Sequence, residues 1–217
     1  MTEQENRRLQ KVHRFIKGLY CITAERFSKG RDNLEVVREM LAGGTKVIQY
    51  REKDMPMDRQ YAQCLSIREM TKKADALFLI DDHIDLAIAV QADGVHIGQN
   101  DLPIEAVRNL VGNEMLIGVS THSIEQARNA VTRGADYIGV GPIFETHTKT
   151  NVIAPVGLSY LDAVTKEINL PFVAIGGIKK HNLPTVLAHG ANCTALVTEI
   201  VEAQNIHEQV NELQRLF

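Results

Sequence analysis

The sequence of 217 residues has few cysteines, no strong excess of charge and no long apolar run. Its three cysteines, Cys21, Cys64 and Cys193, are odd in number and form no C-x-x-C pair. This pattern excludes a disulfide framework and a zinc knuckle, and it indicates a reducing compartment. A net charge of −3 gives no sign of a nucleic-acid partner. No apolar run approaches the roughly 20 residues that a membrane span requires. We therefore predict a cytoplasmic globular protein with no nucleic-acid or membrane partner.

The N-terminal residues 1–17 are rich in charge and carry apolar residues at helical spacing. Leu9, Val12 and Ile16 recur as one face of an amphipathic helix would require. A mitochondrial transit peptide is the alternative for this segment, but Glu3 and Glu5 are atypical of such an acid-poor signal. We predict a structural N-terminal helix over residues 1–17.

Beyond residue 17 the chain alternates short β-rich runs with segments of helical spacing. Ser123 followed by Gln126 predicts a capping box, and Gly44, Gly134 and Gly190 predict helix ends. Eight strands alternating with helices predict an α/β fold, a single-domain (β/α)8 TIM barrel over residues 1–217 with an extra N-terminal helix. A doubly wound open sheet is the alternative, but no G-x-G-x-x-G follows the first run. The predicted strands are 19–23, 47–50, 77–80, 94–97, 116–120, 137–140, 172–175 and 194–197.

Polar residues follow the second strand, where a barrel carries its active site. In an extended chain, period-2 alternation places Gln49, Arg51 and Lys53 on one face. Two cations and an amide at the barrel mouth suit a phosphorylated ligand. The alternative is a surface ion-pair patch that includes Glu52 and Asp54.

Carboxylates follow the next two strands: Asp81 and Asp82 after the third, and Asp101 after the fourth. Two carboxylates on adjacent strand ends, together with a ligand phosphate, are how Mg²⁺ is commonly held. The alternative is that each aspartate caps the next helix, Asp82 the helix through Val90 and Asp101 the helix at Pro103.

Ser120 ends the fifth strand and is predicted to point at the barrel mouth. His122 could serve in acid–base chemistry, although a structural, hydrogen-bonded role is favoured. His96 lies inside the fourth strand and is predicted to be a satisfied core residue.

The loops after the last three strands offer a second site for anions. Residues 141–157 form a long connection without periodicity, which is typical of a functional or a disordered loop. Thr146, Thr148 and Lys149 could clamp a phosphate there, or belong to a mobile polar loop. Gly176 and Gly177 follow the seventh strand, where this fold commonly binds phosphate through backbone N–H groups. Together these features indicate a site for a diphosphate and a monophosphate.

Six motifs in the same order resemble the thiamine-phosphate synthase family, over strands 2 to 8. They are Gln49-Tyr-Arg-Glu-Lys53, Asp82 with Asp101 at the Gly94–Pro103 segment, Gly118-Val-Ser-Thr-His-Ser123, Gly139-Val-Gly-Pro-Ile-Phe144, Thr146-x-Thr148-Lys149 and Ala174-Ile-Gly-Gly-Ile178. The resemblance implies that hydroxymethylpyrimidine diphosphate condenses with a thiazole phosphate, giving thiamine phosphate and diphosphate by a dissociative substitution that Mg²⁺ assists.

The resemblance also implies a role for each matching residue. It assigns the metal to Asp82 and Asp101, and catalysis to Arg51, Lys53, Ser120 and Lys149. It assigns the pyrimidine diphosphate to Gln49, Tyr50, Arg51, Glu52, Lys53, Asp81, Ser120 and Lys149. It assigns the thiazole phosphate to Thr146, His147, Thr148, Gly177, Val197 and Thr198.

Three positions depart from the family's pattern. Asp81 stands where asparagine is common, and its extra carboxylate should repel a diphosphate unless it binds metal or holds a proton. His147 stands where proline or a small residue is common, and Thr198 where serine is common.

Two other functions stay open: a thiazole tautomerase with His122 as its acid–base residue, and a catalytically silent regulator that binds phosphorylated ligands. The sequence leaves the oligomeric state open, a homo-oligomer included.

Overall fold

The computed structural model describes residues 2–148 and 153–217. Eight parallel strands pair in chain order, and β1 also pairs with β8, so that the sheet closes into a barrel. This confirms the predicted (β/α)8 barrel and excludes the open sheet. The strands are β1 Gly18–Ile22, β2 Val47–Tyr50, β3 Leu77–Asp81, β4 Gly94–Ile97, β5 Leu116–Thr121, β6 Tyr137–Val140, β7 Phe172–Ile175 and β8 Cys193–Leu196.

Helices follow the strands and cover the outside of the barrel. None of those described is both long enough and apolar enough to cross a membrane. The α-helices are α1 Glu3–Phe15, α2 Asn33–Ala42, α3 Met57–Lys73, α4 Ile84–Ala89, α5 Ile104–Val111, α6 Ile124–Thr132, α7 Gly157–Glu167, α8 Leu183–Ala188, α9 Thr198–Val201 and α10 Ile206–Gln214, and a 3-10 helix spans Glu25–Phe27.

Helix α1 confirms the predicted N-terminal helix and lies across the N-terminal end of the barrel. Its first turn is closed by a capping box, in which Thr2 and Glu5 bond each other's backbone N–H groups. Val12 and Ile16 are buried in the cluster that fills the barrel interior. Arg8 Nε lies 2.7 Å from Asp136 Oδ1, just before β6. Helix α1 therefore covers the end of the barrel at which the strands begin.

The predicted helix ends agree with the structure. Ser123 Oγ accepts a hydrogen bond from the N–H of Gln126 at 3.3 Å, so Ser123 caps α6 as predicted. Gly44, Gly134 and Gly190 have φ angles of 93°, 87° and 89°, the left-handed conformation that ends a helix. The strands β1 and β8 lie one residue earlier than predicted. Their pairing already begins at Gly18 and Cys193, one residue before each predicted start.

Side-chain alternation along the strands divides the core in two. One set of apolar residues fills the barrel interior, and the other packs between the strands and the helices. In β2, Val47 belongs to the interior set, whereas Ile48 and Tyr50 pack against the helices. The same alternation decides which residues reach the open end of the barrel.

Candidate active site

A pocket of about 500 Å³ opens at the C-terminal end of the barrel. All eight strands or the residues directly after them contribute to its lining, as expected for this fold. The candidate active site lies here, opposite the end that α1 covers.

The end of β2 sends alternate side chains to opposite sides. Gln49 and Arg51 line the pocket. Tyr50 points outward, where its hydroxyl donates a hydrogen bond to Gln63 Oε1 of α3 at 2.7 Å. The structure therefore does not bring the Tyr50 side chain to the predicted pyrimidine site, because neighbouring residues of an extended strand face opposite ways.

Glu52 is also turned away from the pocket. Its Oε1 accepts hydrogen bonds from Asn33 Nδ2 at 2.9 Å and from the N–H of Glu25 at 3.0 Å. Burial raises the pKa of the Glu52 carboxyl above its usual value. The prediction that Glu52 binds substrate is not supported by this placement. Its bonds instead tie the end of β2 to α2 and to the 3-10 helix.

A cluster of two cations and two carboxylates lies at one side of the pocket, with Arg51 and Asp81 in the lining and Lys53 and Asp82 beside it. Asp81 is 6% exposed, and its Oδ2 lies 3.2 Å from Arg51 Nε and 3.3 Å from Lys53 Nζ. Lys53 also pairs with Asp82. Asp82 has a φ angle of 60°, a conformation that aspartate tolerates better than most residues. The extra carboxylate of Asp81 is thus balanced by two positive charges.

Neither aspartate caps the helix that follows it, so that alternative is wrong for both. Asp82 contacts Lys53, and α4 begins two residues later without a side-chain cap. Asp101 Oδ2 accepts a hydrogen bond from the N–H of Gly98 at 2.7 Å, and α5 likewise begins without a side-chain cap. Asp101 lies outside the main pocket lining, in a smaller depression beside it.

The oxygen donors near the cluster fit Mg²⁺ in their chemistry. Asp82 already lies against the ammonium group of Lys53, so its carboxylate is placed where a positive charge is held. Within residues 2–148 and 153–217, no three His, Cys, Asp or Glu side chains are grouped to hold a metal. A Mg²⁺ ion on Asp82 and Asp101 would need more oxygens from water and from a ligand phosphate, which is its common mode of binding.

Both histidines that the sequence analysis singles out line the pocket, and they have different hydrogen-bond partners. His96 lines the pocket, with Nε2 2.9 Å from Ser120 Oγ and Nδ1 3.1 Å from the Tyr137 hydroxyl. It is hydrogen-bonded as predicted, but it faces the pocket rather than an enclosed core. His122 Nδ1 donates to the carbonyl of Gly141 at 2.5 Å, which agrees with the favoured structural role.

The opposite side of the pocket carries hydroxyl groups and a close backbone approach. Thr146 and Thr148 line the pocket, and their Oγ1 atoms lie 3.2 Å apart. His147 also contributes to the lining, although its side chain is 87% exposed. Gly177 has a φ angle of 64°, and a Cβ there would lie 2.4 Å from the carbonyl of Glu145. Lys149, predicted to be catalytic, lies outside the described residues.

The residues after β8 complete this side. Val197 and Thr198 both line the pocket. Lys179 Nζ, which follows β7, donates a hydrogen bond to Thr198 Oγ1 at 2.8 Å and lies 3.7 Å from Glu199 Oε2. Lys179 also lines the pocket, so this side has a lysine in addition to its hydroxyls and glycines.

The family model described as thiamine monophosphate synthase matches residues 19–200. The chain belongs to this family. The thiamine-phosphate synthase of Pelotomaculum thermopropionicum is 58% identical over 92% of this chain and 91% of its own length. That of Lawsonia intracellularis is 50% identical over 91% of each chain. A solved thiamine phosphate pyrophosphorylase from Pyrococcus furiosus superposes with a TM-score of 0.86, at 37% identity, over 94% of this chain and 96% of its own.

These thiamine-phosphate synthases support the resemblance drawn from the six motifs. They give no support to the tautomerase or to the silent regulator. Among the pocket residues that reasoning from the sequence missed are Tyr20, Tyr137 and Lys179. Tyr20 and Tyr137 could have been found from strand alternation, because both face the barrel interior. Lys179 directly follows the Ala174–Ile178 motif in the loop after β7, which is the signal that could have found it.

Proposed function

We propose that this chain joins hydroxymethylpyrimidine diphosphate to thiazole phosphate, giving thiamine phosphate and diphosphate. It is an enzyme of the transferase class. The observation that carries the proposal is the placement of Arg51 and Lys53 beside a pocket, in a chain whose relatives are thiamine-phosphate synthases.

The cations act on the leaving group. As the bond between the pyrimidine methylene and the diphosphate breaks, negative charge grows on the diphosphate oxygens. Arg51 and Lys53 therefore bind the transition state more strongly than the substrate. Mg²⁺ held by Asp82 and Asp101 would supply further positive charge there. Lys149 has the same role by resemblance to the family.

Asp81 keeps these cations in place before substrate arrives. Its carboxylate lies within 3.3 Å of both Arg51 and Lys53. A diphosphate that enters binds Arg51 and Lys53 while Asp81 keeps its contacts with them, so the two side chains need little further ordering. Holding charged groups in their working positions in advance lowers the cost of binding.

The thiazole phosphate binds on the other side of the pocket. Thr146, Thr148 and Thr198 offer hydroxyl donors, and Gly177 and Val197 allow close approach of the backbone. His147 lies at the rim of this side. The aminopyrimidine stabilises the cationic methylene, so the thiazole nitrogen attacks it directly and no protein nucleophile is required. The enzyme supplies the orientation of the two substrates.

A two-substrate assay tests the proposal. With both substrates and Mg²⁺, the chain should release one diphosphate for each thiamine phosphate formed. Asp82→Asn or Asp101→Asn should raise the Mg²⁺ concentration for half-maximal rate by about tenfold or more. Asp85→Asn is the matched control, because Asp85 is an exposed carboxylate in the first turn of α4.

Two results would contradict the proposal. No turnover at saturating Mg²⁺, with thiazole isomerisation that His122→Ala abolishes, would identify a tautomerase. Binding of either phosphorylated compound without any turnover would identify a regulator.

Lys179 provides a test of the thiazole side. We expect Lys179→Met to raise the KM for thiazole phosphate by about tenfold, because a charge-assisted hydrogen bond to the phosphate is lost. The KM for the pyrimidine diphosphate should change by less than about twofold, since its charge is held by the other cluster. Lys180→Met is the matched control, because Lys180 pairs with Glu212 outside the pocket. Equal effects of the two variants in steady-state kinetics would assign Lys179 no part in binding.

We also propose a cytoplasmic location. Cys21, Cys64 and Cys193 are all free and buried. Unpaired thiols agree with the reducing compartment that the sequence indicates.

A further inference from the structure

Five polar side chains from five strands form a continuous row of hydrogen bonds across the floor of the pocket. Gln49 Nε2 donates to the Tyr20 hydroxyl at 2.9 Å, and that hydroxyl lies 3.1 Å from the Tyr137 hydroxyl. The Tyr137 hydroxyl lies 3.1 Å from His96 Nδ1, and His96 Nε2 lies 2.9 Å from Ser120 Oγ. We call these five residues the floor network.

Two glycines on the surrounding strands leave room for the side chains of this network. A Cβ at Gly118 would lie 2.1 Å from the Tyr137 ring, and a Cβ at Gly139 would lie 3.3 Å from His96 Cε1. Tyr20 is 2% exposed and Tyr137 is not exposed at all. Side chains packed this tightly have little freedom to change partners. The row is therefore a fixed part of the pocket.

One direction of donation gives both tyrosine hydrogens a partner within the row. An amide nitrogen only donates, so Tyr20 accepts from Gln49, and Tyr137 is the partner in the row that remains for the single hydrogen of Tyr20. Tyr137 then gives its single hydrogen to His96 Nδ1. Burial raises the pKa of both tyrosines well above the usual value, so both hydroxyls carry their hydrogen at neutral pH.

The direction continues through the imidazole ring. Because Nδ1 accepts, a neutral ring carries its hydrogen on Nε2 and donates it to Ser120 Oγ. The serine oxygen then has an acceptor position filled by His96, and its own hydrogen is left to point elsewhere. Ser120 lines the pocket, so the substrate is the partner within reach.

We infer that the floor network orients the hydroxyl hydrogen of Ser120 toward the pyrimidine diphosphate, with Tyr137 as a positioning residue. The inference rests on the proposed function, because it concerns the same site. A hydroxyl held as a donor strengthens its bond to the diphosphate as negative charge grows there, without reorganisation during the reaction. Tyr137 acts on the diphosphate through His96 and Ser120.

The tautomer of His96 tests the direction without any substrate. The full-length protein labelled with ¹⁵N-histidine is observed by long-range ¹H–¹⁵N correlation, and His96→Gln identifies the His96 signals. The expected pattern is a neutral ring with Nε2 protonated and Nδ1 bare. A ring protonated on Nδ1 alone or on both nitrogens would overturn the inference.

A double-mutant cycle tests the effect on the reaction. Tyr137→Phe should lower kcat about tenfold, since a charge-assisted bond at the transition state is weakened, while both KM values change by less than about twofold. In a Ser120→Ala background the same change should lower kcat by less than about twofold, because the group through which Tyr137 acts is gone. An equal loss in both backgrounds would overturn the inference.

A matched control distinguishes the specific role of the Tyr137 hydroxyl from the general effect of removing a buried tyrosine hydroxyl. Tyr160→Phe removes a hydroxyl that donates to Thr121 Oγ1 at 2.7 Å and lies outside the floor network. It should leave kcat unchanged within about twofold, and thermal unfolding should show that each variant folds. If the wild-type chain does not turn over, the proposed function fails, while the tautomer experiment still reports on the network.

Discussion

Replacing Arg51 with methionine is expected to lower turnover about 100-fold, because one of the cations that binds the leaving diphosphate is lost. The same change should lower the free energy of unfolding by about 3 kcal/mol, because it leaves the buried carboxylate of Asp81 with one partner fewer. Arg51 is 13% exposed and Asp81 is 6% exposed, so water does little to replace the lost charge. Lys53 is 39% exposed and compensates only in part. Steady-state kinetics and urea unfolding measure the two effects.

The double variant Arg51→Met with Asp81→Asn separates the two roles of Arg51. Removing the carboxylate removes the unpaired charge, so at least half of the lost stability should return. Turnover should stay low, because the cation is still absent. Recovery of turnover together with stability would mean that Arg51 serves only to neutralise Asp81, and the proposed part of Arg51 in catalysis would be wrong.

Gly177→Ala is expected to lower turnover about 100-fold, because a displacement of about 1 Å in an active site can cost that much. A Cβ at this position would lie 2.4 Å from the carbonyl of Glu145 and 2.8 Å from Phe144 Cβ. The loop after β6 would have to move away from the loop after β7, and it carries Thr146 and Thr148. Kinetics with each substrate varied in turn should show the larger loss for thiazole phosphate.

Gly134→Ala is the control for backbone strain. Gly134 has a φ angle of 87°, yet a Cβ there would meet nothing within 4 Å. Its variant should lose about 1 kcal/mol of stability from the left-handed conformation and keep full turnover. If Gly177→Ala behaves like Gly134→Ala, the close approach of the two loops has no role in the reaction.

The alternation of strands and helices was enough to predict the barrel, because each strand has a clear apolar signal and a helix to follow it. The β1 and β8 boundaries were one residue off, since the register pairs Gly18 with Cys193 across the closing seam. No local pattern reports a pairing between residues so far apart in sequence.

Strand alternation explains which of the predicted site residues the structure brings to the pocket and which it does not. Arg51 and Gln49 were correctly expected at the pocket because alternation was applied to them. The family resemblance assigns Tyr50 and Glu52 to the pyrimidine diphosphate because they belong to one continuous motif. The same alternation nevertheless turns their side chains outward. A motif records which residues occur together, and it does not record which way each side chain points.

Contacts between side chains of different strands and loops could not be predicted from the sequence. The contact of Lys179 with Thr198 joins the loop after β7 to the first residue of α9, and Tyr137 of β6 meets His96 of β4 across the intervening strand β5. The aspartates were thought able to cap helices, but Asp82 has a lysine from another strand end as its partner. Such partners depend on tertiary packing, which overrides local preference.

The position of α1 bears on the order in which the chain can assemble during synthesis. This helix is made before the strands of the barrel, but Lys11 pairs with Asp93, just before β4, and Arg8 pairs with Asp136, just before β6. Asp93 is synthesised after three of the eight strands and Asp136 after five. The helix therefore lacks these two ion pairs until five strands have followed it, and only then can both of them hold it at the N-terminal end of the barrel.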